Sequence, residues 1–203
     1  MKPLSIAAVQ LNLENKDNYA LVAKKTKEAV FRFPWLQMII FSELAVGGAG
    51  SKDSSFYLSE YLDKFKDLAK ELDIWLIPGS FYEEKKEGIY NTAPVINNKG
   101  ELVTKCQKLY PFLPYEVGVK AGNEVCVFEV PGFGIMGLQI CYDLWFPETS
   151  RALTLQGAEV ILHPSLTDTC DRDVERAMVK ATAAQQQCYY IDVNAGGKQG
   201  CGL

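Results

Sequence analysis

Along this chain the apolar positions switch repeatedly between a strand spacing and a helix spacing. Leu4 to Leu11 is a short, mostly apolar run with Gln10 near its end, which predicts a first strand. Asp17 to Phe33 sets Tyr19, Val22, Ala23, Thr26, Ala29, Val30 and Phe33 at helical spacing, with Asp17 placed to cap and Pro34 just past the end. Leu36 to Phe41 predicts a buried strand, a glycine-rich loop covers Gly47 to Gly50, and Ser55 to Leu72 returns to the helical period. Ile74 to Phe81 reads as one strand. Asn91 to Leu109 reads as a hairpin turning at Asn97 to Gly100, and Val125 to Cys141 as a second hairpin about Pro131-Gly132. A helix from Pro147 to Gly157, with Pro and Glu in its first turn, precedes a strand at Val160 to His163. A helix from Arg172 to Gln187 and a strand from Cys188 to Val193 follow.

Strands alternating with helices, with hairpins in the middle, predict an α/β layer architecture in which helices cover sheets. The absence of a linker, repeat or low-complexity tract predicts one domain over 1–203. Glu43, Lys108 and Cys141 each fall at the carboxyl end of a predicted strand, where the side chains of open α/β sheets converge.

Composition narrows the chemistry. With 48% hydrophobic and 23% charged residues the chain is globular in character, and its net charge of -4 comes without a basic stripe, which argues against a nucleic-acid partner. No apolar run reaches the ~18 residues of a membrane span, and the amino terminus lacks the pattern of a signal peptide, so the expectation is a cytoplasmic protein without a membrane partner. There is one histidine, His163, which excludes HExxH and other two-histidine metal sites. The six cysteines contain no CxxC pair, so no metal site or metal cofactor is expected, and in a reducing compartment they are free thiols by default.

Cys141 is the strongest nucleophile candidate, because Gly137 to Asp143 reads as a strand breaking into a turn before a helix, a setting that exposes a side chain beside backbone N–H groups. Taken alone, it is equally read as one more buried thiol. The segment Lys108-Leu109-Tyr110-Pro111-Phe112-Leu113-Pro114-Tyr115-Glu116 is an apolar loop carrying one Lys and one Glu, and a lysine among apolar residues is costly without an acid partner. By themselves Lys108 and Glu43 are ordinary strand-end charges.

Together these segments resemble the carbon–nitrogen hydrolases of the nitrilase superfamily, over essentially the whole chain. The resemblance is carried by Ala7-Ala8-Val9-Gln10, by Phe41-Ser42-Glu43, by Lys108 with Glu116, and by Gly137 to Glu148 around Cys141. Gln156 to Glu159 and Cys188 to Ala195 extend it. It implies an α-β-β-α sandwich and catalysis by Glu43, Lys108 and Cys141, without a cofactor. In that scheme Glu43 is the general base, Cys141 forms a thioester, and Lys108 with the Tyr142 backbone N–H stabilises the oxyanion. Glu116 orders the lysine and the substrate nitrogen. The single histidine is then unneeded for the chemistry, and His163 is a strand-end residue near the pocket.

The Lys108 to Glu116 segment and Gln185-Gln186-Gln187 lean toward the aliphatic amidases and formamidases, whereas Cys141 to Glu148 leans toward carbamoyl-amide and omega-amidase types. Trp145 stands where those types commonly carry an arginine, which favours an uncharged or partly apolar substrate. Tyr142 and Trp145 are the substrate-pocket candidates, although plain core packing accounts for them equally well. Ser42 replaces the proline usual before the glutamate. Family members usually continue beyond the position of Leu203, so the last strands of one sheet are expected to be missing. The resemblance implies a small-molecule amide and water as reactants and a homodimer or larger homo-oligomer. Competing readings are an N-carbamoyl or omega-amide hydrolase, and a catalytically impaired binding or oligomerisation module.

Overall fold

The computed structural model describes residues 3–48 and 51–196. Gly50 of the predicted glycine-rich loop, and the terminal Gly200-Cys201-Gly202-Leu203, lie outside the described residues.

Two sheets stack face to face. The first contains β1 (Ile6–Val9), β2 (Met38–Phe41), β3 (Trp75–Ile77), β4 (Phe81–Lys85), β5 (Gly88–Ile96), β6 (Leu102–Gln107) and β7 (Val119–Lys120). Its order is β1-β2-β3-β5-β4, with β6 and β7 also paired to β5. The second contains β8 (Cys126–Val130), β9 (Gly134–Leu138), β10 (Val160–Ser165) and β11 (Tyr189–Asn194), in the order β11-β10-β9-β8. Helices α1 (Tyr19–Arg32) and α2 (Leu58–Leu72) cover the first sheet, and α3 (Pro147–Leu155) and α4 (Arg172–Gln186) cover the second.

The sequence of β2 explains this layering. Met-Ile-Ile-Phe is apolar at every position because both faces are covered. Ile39 and Phe41 join the cluster with Val22, Leu58 and Phe65 of the helices. Met38 and Ile40 join the inter-sheet cluster with Phe128, Leu138 and Leu162. Each such side chain contributes ~1.5–3 kcal/mol by leaving water. The helix α2 buries Leu58, Tyr61, Phe65, Leu68 and Ala69, one stripe of its surface, and ends where Asp73 turns left-handed at φ 53°.

The expected α-β-β-α sandwich is therefore present, with three local corrections. The single strand predicted at Ile74 to Phe81 is two, β3 and β4. Pro78 has no N–H for a ladder, and Gly79, at φ +90°, turns so tightly against the Ser42 carbonyl that a Cβ would lie 2.1 Å from its oxygen. The helix predicted from Ser55 begins at Leu58, because the Asp53 side chain accepts from the Ser55 N–H and closes a separate short turn. Third, the expectation of free thiols fails for one pair: Cys106 on β6 is disulfide-bonded to Cys126 on β8, which joins the two sheets. Among the described residues, Cys141, Cys170 and Cys188 are free.

Candidate active site

The four chemical side chains are delivered by strand ends and one loop. Glu43 lies just past β2, and its turn is fixed on two sides. The Glu43 N–H donates to the Ser165 carbonyl (3.3 Å), and the Leu44 N–H donates to Ser80 Oγ (3.2 Å). The Pro78-Gly79-Ser80 break that interrupts the predicted strand is thus what props the Glu43 turn. Lys108 follows β6, and Glu116 lies in the proline-containing loop after it. The Phe112 N–H donates to Glu116 Oε2 at 2.6 Å, folding that loop over its own carboxylate.

Cys141 follows β9 and opens a short helical turn, Cys141–Trp145, with φ 47°. A non-glycine residue there costs about 1–2 kcal/mol and persists only where its neighbours impose it. Asp143 is one such neighbour. Its carboxylate accepts from the Ile140 N–H (2.9 Å) and, on the facing loop, from the N–H groups of Leu109 (3.0 Å) and Tyr110 (2.8 Å). The cysteine turn and the loop after Lys108 are thereby tied together. Burial pushes the Asp143 carboxyl up to about 6, against the pull of those N–H groups and of Lys108.

Lys108 is buried between two carboxylates. Its Nζ lies 2.9 Å from Glu43 Oε1 and 2.7 Å from Glu116 Oε2. Asn91, from β5, completes the group by donating from Nδ2 to Glu43 Oε1 (2.8 Å) and to Glu116 Oε1 (2.9 Å). Two buried negative charges thus share one buried cation and one amide, the arrangement that makes such burial tolerable. Burial opposes the charge on Lys108, but Glu43, Cys141 and Glu116 outweigh it and hold its pKa well above the ordinary lysine value. Burial, and then the Glu43 charge, push the Cys141 thiol far up. At neutral pH the sulfur is therefore protonated and needs a base.

Glu43, Lys108, Glu116, Cys141, Tyr142 and Trp145 all line one cavity of about 610 Å³. The predicted site residues are thus brought together without exception. Tyr142 and Trp145 belong to an aromatic wall: the Tyr142 ring packs 4.8 Å from Phe112 and 6.1 Å from Trp145. The Trp145 indole N–H donates to Glu175 Oε1 at 3.4 Å. Asp168 and Asp171 also line the cavity, and its basic lining residues are Lys52 and Lys108.

Sequence reasoning missed five residues here: Tyr82, Asn91, Asp143, Thr167 and Glu175. Asn91 sits in the middle of an apolar strand, and a buried amide there was the available signal. Glu175, on α4, carried no such mark. The position of His163 is a correction. β10 runs on to Ser165, so His163 is a fully buried interior residue of that strand rather than a residue at its end. Among the described residues, no cluster of three or more His, Cys, Asp or Glu could hold a metal ion, and no helix is long and apolar enough to cross a membrane.

The carbon-nitrogen hydrolase family model matches residues 5–201. The chain is 27% identical to deaminated glutathione amidase of Dictyostelium discoideum, over 94% of this chain and 73% of that protein. It is 32% identical to deaminated glutathione amidase of Rattus norvegicus, over 66% of this chain and 47% of the relative. It is also 27% identical to a formamidase of Bacillus cereus, over 98% of this chain and 65% of that enzyme. The chain thus spans between about half and three quarters of the length of these relatives. Two crystal structures share the fold. Saccharomyces cerevisiae Nit3, of the nitrilase superfamily, superposes with a TM-score of 0.85 at 22% identity, covering 95% of this chain and 76% of that one. An amidase from Nesterenkonia sp. AN1 superposes with a TM-score of 0.87 at 22% identity, covering 97% and 80%.

Proposed function

The chain belongs to the carbon–nitrogen hydrolase family, and from that premise we propose that it hydrolyses a small, uncharged amide to a carboxylic acid and ammonia through a thioester on Cys141. The observation that carries the reading is the buried Lys108, held between Glu43 and Glu116 on the wall of the cavity that Cys141 also lines.

Each step has a group suited to it. Glu43 takes the proton from the Cys141 thiol, which its raised pKa otherwise keeps in place. The sulfur attacks the amide carbon. The developing oxyanion is met by Lys108 Nζ, which has three N–H donors of which Glu43 and Glu116 take two, and by the Tyr142 backbone N–H. Protonated Glu43 then gives its proton to the leaving nitrogen as the C–N bond breaks. In the second half Glu43 takes a proton from water, whose oxygen attacks the thioester, and returns that proton to the departing sulfur, which releases the acid and restores the thiol. Glu116 holds Lys108 in place, and Asn91 fixes both carboxylates.

The wall supports a neutral substrate. Trp145 offers an indole rather than a cation to the cavity. An omega-amide or carbamoyl substrate with its own carboxylate would find no cation at Trp145 to pair with. The names of the relatives support amide hydrolysis in general and leave the amide open.

The test is ammonia and acid release from a panel of small amides, with Cys141→Ala and Glu43→Gln as controls. Equal release of the two products, abolished in both variants, is expected. No release from any amide by the folded protein would favour a binding or oligomerisation module, and release by Cys141→Ala would remove the thioester.

A further inference from the structure

Behind the nucleophile lies a group of side chains that the reaction scheme leaves unused. His163 Nε2 is 2.9 Å from the Cys141 carbonyl oxygen, and Nδ1 is 2.9 Å from Asp192 Oδ1. A carbonyl oxygen only accepts, so Nε2 carries a proton. Asp192 takes a bond from Arg172 on its other oxygen, which marks it as an ionised carboxylate, so Nδ1 carries a proton as well. A ring protonated at both nitrogens is an imidazolium. Arg172 also donates to Glu175 Oε2 (3.2 Å), and Glu175 Oε1 accepts from Thr167 Oγ1 (3.0 Å). Thr167 Oγ1 lies 3.9 Å from Cys141 Sγ. The bonds therefore close a circuit that leaves Cys141 by its carbonyl and returns to its sulfur. Two cations and two carboxylates make the circuit neutral, the condition under which a fully buried charge is tolerated.

The Cys141 carbonyl and the Tyr142 N–H are two ends of one planar peptide group. Whatever fixes the carbonyl also fixes the direction of that N–H, and a charged donor on the oxygen strengthens the N–H as a donor in turn. We propose that His163 is an imidazolium that orients and polarises the Cys141–Tyr142 peptide, a positioning residue acting on the oxyanion through the Tyr142 N–H. The proposal rests on the hydrolase reading above. It also accounts for the left-handed Cys141, whose φ of 47° is unfavourable for its type and is pinned here from behind.

The charged and titratable groups facing the ring are Asp192 and Tyr190 of β11, Arg172 and Glu175 of α4, and Cys141 and Asp143 of the turn. Burial acts against the charge, but the bonds to Asp192 and to the Cys141 carbonyl outweigh it and raise the His163 pKa.

Two measurements test this, and the first needs neither substrate nor variant. His163 is the one histidine of the chain, so its ring nitrogens are unambiguous in a nitrogen-15 spectrum of the intact protein. Two protonated ring nitrogens at pH 7 are expected, and a neutral ring overturns the proposal even if the enzyme turns over amides. The second compares His163→Leu with His163→Gln, whose amide N–H replaces the Nε2 donor without the charge. Loss of an oxyanion donor costs on the order of 100-fold or more in kcat. His163→Leu is expected to lose about that much in kcat with KM within about threefold, because an oxyanion forms only in the transition state, and His163→Gln to recover at least about tenfold of it. A folded His163→Leu with wild-type kcat, or a His163→Gln no better than it, overturns the positioning role. Should wild type release no ammonia, the hydrolase reading fails and the spectrum still decides the state of the ring.

Discussion

Lys108 Nζ stands 2.9 Å from Glu43 Oε1, with both side chains almost wholly closed to solvent. The lysine is the one cation facing both Glu43 and Glu116 in this group, so removing it strands two charges at once. Lys108→Met is expected to cost about 3–5 kcal/mol in folding free energy, seen as a lower denaturation midpoint, in addition to abolishing turnover. The double variant Lys108→Met/Glu43→Gln should be more stable than Lys108→Met alone, because one stranded charge is gone. A double variant that is less stable would contradict the ion-pair account.

Asn91 reaches the same two carboxylates from the floor of β5. Asn91→Asp replaces its N–H donors by a third acidic group among Glu43 and Glu116. We expect kcat to fall at least about 10-fold, the scale of a misplaced catalytic group, with stability lowered as well. Asn91→Asp with unchanged kcat would show that the amide does not hold the carboxylates.

Asp143 supplies a pH dependence whose sign is fixed. Its folded pKa, about 6, lies above the ordinary 3.8, so its contribution to stability is complete below about pH 4 and is lost as pH rises through about 6. Asp143→Asn does not titrate, and it forfeits one of the two acceptor oxygens that serve Ile140 on one side and Leu109 and Tyr110 on the other. The stability margin of wild type over this variant should narrow between pH 4 and pH 7 in denaturant titrations. A margin that widens over that range would contradict the burial of this carboxyl.

The Cys106–Cys126 bond closes a loop with a sequence separation of 20, two residues ahead of Lys108. Loop-closure entropy assigns such a bond about 3 kcal/mol. Reduction should lower the unfolding free energy by about that amount, seen as a lower denaturation midpoint, and without reductant both cysteines should resist alkylation while exposed Cys170 reacts. Alkylation of Cys106 in the unreduced, folded protein would show the bond absent.

Much of this was legible in the sequence because strand ends and turns are local signals. The break after Gln139-Ile140 located Cys141, and the two prolines between Lys108 and Glu116 located the loop. What was not legible depends on pairings across the fold. Asn91 lies 48 positions from Glu43, and no spacing along β5 announces that they meet. Pro78-Gly79 marked a break that a purely apolar count over Ile74 to Phe81 runs through. His163 gave no hint of its charge, because its two ring partners, Asp192 on one neighbouring strand and the Cys141 carbonyl just past the other, are brought to it only by the pairing of the strands. The disulfide pairs strands of different sheets, and cysteine spacing alone does not reveal it.

The central claim is a covalent acyl group on Cys141, and rapid-quench intact-mass spectrometry during turnover of a small amide tests it most directly. The account predicts a species heavier by the acyl group less one hydrogen, mapped to Cys141, appearing with one equivalent of ammonia and converted by hydroxylamine to the hydroxamate. Ammonia released at full rate with Cys141 never modified, or with the acyl group on another residue, would contradict it.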